Sequence, residues 1–328
     1  MNHRIERLIP LLPEDVDGVL ITSSCNRYYF TGMRSTEGVL LVTREASYAL
    51  LDFRYIEAAR RTIQNCQVIL QESLRKQLGE LVKKHGIRRL ALETSYQTVG
   101  EMNRFGAMLP GIQLLTDDRV DRAILELRRI KDDWEIGCIR AAQRITDRAF
   151  TNILEFIAPG RTEREVAAEL EHLMRQGGAE RTSFDTICVA GPNSSLPHGV
   201  PGDRPIQAGD FLTMDFGCVV EGYCSDMTRT VAVGHVTEEM ERIYSLVLEA
   251  QLAALAKAAP GVPCREVDAA ARDMIYQAGY EGCFGHGTGH SLGLETHEEP
   301  RFSPGADALC TPGIVMSVEP GIYLEGRF

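Results

Sequence analysis

The sequence predicts an α/β domain over residues 1–122, followed by an α+β domain over residues 123–328 that carries an internal pseudo-twofold duplication. Three observations lead there. Short apolar runs alternate with helical spacing through the first third, the pattern of a layered α/β module. A charged segment, Asp117 to Asp133, then opens into a long amphipathic stretch. Finally, Ala158-Pro159-Gly160 with Arg164-Glu165-Val166 recurs 101 residues later as Ala259-Pro260-Gly261 with Arg265-Glu266-Val267.

In the first domain, Gly18–Thr22, Gly38–Val42, Tyr48–Asp52, Gln67–Leu70 and Arg88–Glu93 read as strands. Helical spacing runs through Arg54–Thr62, Glu72–His85 and Tyr96–Met108, and the module ends near Val120. In the second domain, Ile130, Trp134, Cys138, Ala141, Ile145, Ala149 and Ile153 fall three or four residues apart, which predicts one long helix stopping at Pro159-Gly160. Thr162 with Glu165 is a capping box that starts the next helix at once. Ala168, Gln176, Gly178 and Glu180 recur as Ala269, Gln277, Gly279 and Glu281, making ten identities in a 23-residue ungapped window. That density favours duplication over chance likeness between two amphipathic helices. Two such units related by a pseudo-twofold would form a helix-backed antiparallel sheet with a site between the halves.

Composition bounds the function. A chain of 328 residues is long enough for two well-buried cores. Its 35 basic and 46 acidic side chains leave a net charge of −11, which repels phosphate backbones and anionic lipids, so neither nucleic acid nor membrane is an expected partner. No apolar stretch near the N-terminus resembles a signal peptide and none elsewhere could span a bilayer, so a cytoplasmic protein is expected. The nine cysteines lack paired zinc-ligand spacing and are expected to pack as thiols.

The chemistry-bearing residues cluster late in the chain. Asp215 ends the apolar run Phe211–Met214, and Asp226 follows eleven residues on, after a turn that contains Gly222. A hairpin centred between Val220 and Glu221 would set the two aspartates directly opposite, with Cβ atoms about 5 Å apart. Like charges so placed need a cation or proton between them; either aspartate alone would read as an ordinary sheet-end carboxylate. The stretch from Phe284 to His297 holds His286, His290 and His297, three of the eight histidines, among Gly285, Gly287, Gly289 and Gly293. So many glycines argue against a helix and for a loop or strand pair in which backbone approaches a ligand closely, with imidazole nitrogen available to a transition metal. Glu319, at the end of an apolar run before Pro320-Gly321, gains weight only from this company.

Three motifs, MDFGCVVEGYCSDMTRT, HGTGHSLGLETHE and SVEPGIY, give the chain a resemblance to the Xaa-Pro peptidases, aminopeptidase P and prolidase, over nearly its whole length. Asn26-Arg-Tyr-Tyr-Phe-Thr-Gly32 and Leu51-Asp-Phe-Arg-Tyr55 resemble the creatinase-type N-terminal domain of that branch. The resemblance implies a pita-bread catalytic domain with Asp215, Asp226, His290 and Glu319 as ligands of two divalent ions, Mn²⁺ first and Co²⁺, Zn²⁺ or Fe²⁺ as substitutes. It implies that Glu319 also handles the proton of the attacking water, that His198 and His297 assist catalysis, and that His198, His286, His297 and Tyr323 contact substrate. The expected activity is Xaa-Pro aminopeptidase on proline-containing peptides, with Xaa-Pro dipeptidase as the alternative, and a homodimer is expected. A metal-free enzyme acting on a guanidino compound and a non-catalytic pita-bread binding scaffold are the remaining readings, and the intact carboxylates count against both. The family pattern places a fifth ligand, a bridging glutamate, in a Gly-x-Arg-x-Glu strand after this last motif, where the sequence ends at Gly326-Arg-Phe328. A C-terminally shortened product is expected over a degenerate copy, because the other motifs are intact.

Overall fold

A computed structural model describes residues 3–328 and divides into two compact units, Met1–Arg128 and Arg129–Phe328. The division falls at the end of a helix, Arg119–Arg129, that runs across the expected boundary at 122/123.

The first unit contains, in order, α1 (Arg4–Leu8), β1 (Gly18–Ile21), α2 (Ser24–Thr31), β2 (Val39–Thr43), β3 (Ser47–Leu51), α3 (Ile56–Thr62), β4 (Gln67–Leu70), α4 (Leu74–Lys84), β5 (Arg89–Leu92), α5 (Val99–Met108), β6 (Gln113–Leu115) and α6 (Arg119–Arg129). Six strands form one sheet in the order β4-β3-β2-β1-β5-β6. The β1/β2 and β2/β3 pairs are antiparallel and the other three are parallel. Every residue of β1, β2 and β3 is buried, which explains why these strands read as continuous apolar runs. Leu20, Leu41, Leu50, Leu78, Leu90 and Phe105 share the core.

The segment Asn26–Thr31 proves to be helical. Its tyrosines, phenylalanine and threonine have weak helix preference, and tertiary contacts decide the matter. Ser23 caps the helix by accepting from the Asn26 amide, and Gly32, at φ 71°, ends it. The fully buried Glu93 carboxylate accepts from the Ser23 amide and hydroxyl and from Asn26 Nδ2, so it ties the helix start to the end of β5.

The second unit contains α7 (Asp133–Phe156), α8 (Glu163–Gln176), β7 (Ile187–Ala190), β8 (Phe211–Phe216), β9 (Val219–Val220), β10 (Tyr223–Cys224), β11 (Met227–Ala232), α9 (Glu238–Lys257), α10 (Cys264–Ile275), β12 (Gly289–Ser291) and β13 (Glu298–Phe302). Capping boxes start α7 at Asp132 and α8 at Thr162. Strand β8 lies between β7 and β11, antiparallel to both, and the buried Leu212, Met214 and Phe216 pack with Val166 and Leu170 of α8.

Backbone hydrogen bonds repeat the duplication. Gly160, Glu163 and Arg164 donate to the carbonyls of Ile206, Arg204 and Gly202, while Gly261, Cys264 and Arg265 donate to those of Cys310, Ala308 and Ala306. Each donor lies 101 residues after its counterpart and each acceptor 104 after. The second half has its own core, with Val267, Ala271 and Ile275 of α10 against Phe284 and Phe302. All nine cysteines are free thiols. No helix among the described residues is long and apolar enough to cross a membrane.

Candidate metal centre

Asp215 lies in β8, and the hairpin that follows turns at Glu221-Gly222, where φ is 49° and 79°. Positive φ at both central positions is the two-residue turn that matches strand twist. The valine at 220 is poorly suited to it, so the turn falls one residue later than the sequence suggested. The Glu180 carboxylate holds it by accepting from the Glu221 amide at 2.8 Å. As a result Asp215 faces Thr228, while Asp226 stands just ahead of β11. The direct Asp215/Asp226 pairing is therefore corrected to a register shifted by two, a shift that, unlike one of a single residue, keeps both side chains on one face.

His290 lies in β12, and residues 315–319 run antiparallel beside it through Leu292 N to Val315 O, Ser317 N to His290 O and Glu319 N to Thr288 O. Gly289 makes this approach possible, since a Cβ there would sit 2.0 Å from the Ser317 carbonyl oxygen. His290 Nδ1 donates to its neighbour's carbonyl, Ser291 O, at 3.0 Å, which turns Nε2 towards Glu319 Oε1 at 3.1 Å and Asp226 Oδ2 at 3.4 Å. The Ser317 hydroxyl donates to Glu319 Oε1 at 2.7 Å and accepts from the His290 amide at 3.0 Å. Two aspartates from the first half and a histidine and glutamate from the second thus occupy one neighbourhood.

Electrostatics ties Asp215 to this group. Burial first, then the charges of Asp226 and Glu319, push its carboxyl up to about 8. Its Oδ1 is buried without a hydrogen-bond partner. Burial disfavours charge on His290, but its hydrogen bonds to Asp226 and Glu319 outweigh that and push it up to about 10. Burial likewise opposes charge on Glu319, and the His290 contact reverses the effect and lowers it. Among the described residues, no three His, Cys, Asp or Glu side chains already stand in metal-holding geometry. The donor set nevertheless suits a divalent cation. Mutually repelling carboxylates, an imidazole with Nε2 directed at them and an orphaned buried oxygen all call for positive charge at this spot.

Of the other residues singled out from sequence, His297 packs against His290 with ring centroids 4.4 Å apart, and burial followed by the His290 charge lowers its pKa. His286 Nε2 meets Tyr323 Oη at 3.0 Å, while its Nδ1 donates to Gly287 O. Burial and then the Glu319 and Asp215 charges hold the Tyr323 phenol protonated, which places this pair beside the carboxylates. His198 is exposed, and among the described residues it has no hydrogen bond or ion pair to the others. Sequence reasoning missed several supports. Arg272 grips both Asp268 oxygens and donates to Phe284 O and His286 O, and Asp268 accepts from the Thr288 amide, so α10 clamps the glycine-rich segment. An Asp268/Arg272 pair four apart on a helix was visible in the sequence, yet it looks the same as an exposed pair there.

Comparison with known proteins agrees with this architecture. Residues 137–328 match the model of metallopeptidase family M24, and residues 4–130 match the Creatinase/Prolidase N-terminal domain. The chain is similar to an uncharacterized peptidase of Bacillus subtilis, at 41% identity over 98% of this chain and 91% of that one. It is similar to the solved Xaa-Pro dipeptidase from Bacillus anthracis, at 39% identity and TM-score 0.95 over 99% and 91% of the two chains. It is also similar to the solved X-Pro aminopeptidase from Thermotoga maritima, at 35% identity and TM-score 0.91 over 99% and 92%.

Proposed function

Because the chain belongs to metallopeptidase family M24, we propose that it hydrolyses the bond between a first residue and a following proline, with Xaa-Pro dipeptides as its principal substrates. The likeness to a dipeptidase over almost the whole of both chains supports this order. The likeness to an aminopeptidase supports the second reading, cleavage of the same bond in longer peptides, which is the activity expected first from sequence. The observation that carries the proposal is the convergence of Asp226, His290 and Glu319, whose charges act on the buried carboxyl of Asp215.

In this reading Asp215, Asp226, His290 and Glu319 would hold two divalent ions, with Mn²⁺ the first choice for an oxygen-rich set containing one imidazole. When bound, such ions polarise a carbonyl and acidify water enough to supply hydroxide near neutral pH. The chain's own residues do the rest. Glu319, steadied by the Ser317 hydroxyl, accepts the water proton and returns it to the departing proline nitrogen. His297, packed against His290, offers an N–H to the developing oxyanion. The His286–Tyr323 pair lines the proline side, and His198 reaches substrate from its exposed turn. A homodimer belongs to the same proposal and is read by sedimentation.

The test supplies Mn²⁺ and compares an Xaa-Pro dipeptide with a longer Xaa-Pro peptide, alongside metal analysis of Asp215→Asn. Faster release from the dipeptide supports the first reading and faster release from the longer peptide the second. No release from either, with metal content unchanged in the variant, overturns both.

A further inference from the structure

We infer that Lys131 is a positioning residue that sets the spacing between His290 and His297 by clamping the residue next to each. This rests on the reading of His290 and His297 given above. The Lys131 side chain is 1% exposed and the Glu298 side chain 3% exposed, and their charged ends meet at 3.1 Å. The same Nζ donates to Ser291 Oγ at 3.1 Å and to Arg129 O at 3.4 Å, so its three protons have three acceptors. Ser291 directly follows His290, and Glu298 directly follows His297. One ammonium therefore grips both strands one residue beyond each imidazole.

The position of the clamp matters. Ser291 and Glu298 are cross-strand partners at the point where the β12/β13 register shifts between His290 and Ser291. A bulge is where pairing is least determined by the ladder itself, so an added cross-link there fixes what the backbone leaves loose. The clamp is anchored from behind, because the Lys131 amide donates to Gly313 O at 2.9 Å. Space is reserved for it as well, since a Cβ on Gly293 would lie 2.8 Å from a Glu298 carboxylate oxygen. Through Ser291 the clamp reaches His290 directly, because the Ser291 carbonyl accepts from Nδ1 and so holds the ring with Nε2 toward the carboxylates.

A buried ion pair is a poor device for stability alone, because apolar side chains of similar volume hold a fold as well or better. Fixing a register is a task those replacements do not perform. The inference therefore separates stability from placement.

The experiment uses the full chain with Lys131→Met, Glu298→Gln and the double variant Lys131→Met with Glu298→Leu. Melting temperature is measured without metal, Co²⁺ affinity from visible absorption, and kcat and KM on an Xaa-Pro dipeptide. We expect each single variant to melt lower, to bind Co²⁺ roughly 10–100-fold more weakly, in the range seen for groups that orient metal ligands, and to lose kcat more than KM rises. The double variant should regain the melting temperature and still show weakened Co²⁺ binding with an altered spectrum. If it regains Co²⁺ affinity and kcat together with melting temperature, Lys131 is merely structural and the inference is overturned. If Lys131→Met binds Co²⁺ within twofold of the parent, it is likewise overturned. Should the parent cleave no Xaa-Pro bond, the functional reading fails on its own, and the Co²⁺ titrations still decide for or against the clamp.

Discussion

Replacing Gly289 by alanine tests whether the close approach of two extended segments sets the site. The added Cβ would fall 2.0 Å from Ser317 O and 2.7 Å from Ser317 C. Reaching ordinary van der Waals contact requires the segments to part by about 1.4 Å. The bonds from Ser317 N to His290 O and from Glu319 N to Thr288 O, each 2.8 Å, do not survive that displacement. Two lost hydrogen bonds at about 1 kcal/mol each, with a further 1–3 kcal/mol of overpacking, give a destabilisation of roughly 3–5 kcal/mol. At about 2–4 °C per kcal/mol for a unit of this size, the melting temperature falls by roughly 6–20 °C. Placement suffers more than stability, because functional groups tolerate only about 0.5 Å of error and this shift carries His290 away from Glu319.

The assay is thermal unfolding of the metal-free protein together with a Mn²⁺ or Co²⁺ binding isotherm. Gly285→Ala is the control, since a Cβ at that neighbouring glycine meets nothing within 4 Å and its φ is not in the left-handed range. We expect Gly289→Ala to lose metal binding by at least 100-fold, at about 1.4 kcal/mol for each tenfold, and Gly285→Ala to stay within about 0.5 kcal/mol of the parent in stability. Parental metal affinity in Gly289→Ala would refute the reasoning, because it would mean that the Gly289/Ser317 approach does not place His290 against Glu319.

Three further outcomes are expected. Asp215→Asn should abolish metal uptake measured by elemental analysis yet raise the pH 8 melting temperature of the metal-free protein, because it removes a buried carboxyl pushed up to about 8. The sign follows from the raised pKa: stability present below the unfolded value near 4 is lost as pH climbs to about 8, so the gain from the variant vanishes at pH 4. Metal affinity should rise steeply from pH 6 to pH 8, with up to two protons released per binding event in weakly buffered calorimetry, since Asp215 and His290, with values of about 8 and about 10, both hold protons there; a pH-independent affinity contradicts this. Ser317→Ala should weaken Co²⁺ binding about tenfold by releasing the Glu319 carboxylate, and lower the melting temperature by roughly 2–8 °C because the His290 amide loses its acceptor as well.

Physical signals differ in how far they reach along the sequence. Strand β4 matches its expected range, Gln67–Leu70, because the apolar run Val68-Ile69-Leu70 between Gln67 and Gln71 carries the whole signal locally. The capping box at Thr162 is equally local, and the structure shows both of its hydrogen bonds. Helix α2 was not legible because its tyrosines and phenylalanine favour extended backbone, and its support comes from Glu93, about seventy residues away. The turn at Glu221-Gly222 was within reach of local reasoning, since only one placement puts glycine at its second position, yet assigning Asp215 and Asp226 by symmetry displaced it. Lys131 lies in a charged stretch that reads as solvent-exposed, and only the folded chain shows its ammonium enclosed by Ser291 and Glu298.

The duplication explains why the candidate site needs both halves of the second unit. Asp215 and Asp226 come from the first half, His290 and Glu319 from the second. Each half also contains a glycine whose Cβ would stand 2.0 Å from a carbonyl oxygen, Gly217 against Ser225 and Gly289 against Ser317. In each case the crossing lies beside a candidate ligand pair: Gly217 is two residues from Asp215 and Ser225 adjoins Asp226, while Gly289 adjoins His290 and Ser317 is two residues from Glu319. One close backbone crossing in each half thus stands beside each candidate pair, and the two halves together bring four polar side chains from separate stretches of sequence into one place, where neither half alone supplies more than two of them. Gly217→Ala should also weaken metal binding, because its Cβ would stand 2.0 Å from the Ser225 carbonyl oxygen next to Asp226, and a Gly217→Ala protein with parental Co²⁺ affinity would show that this crossing does not place Asp215 and Asp226.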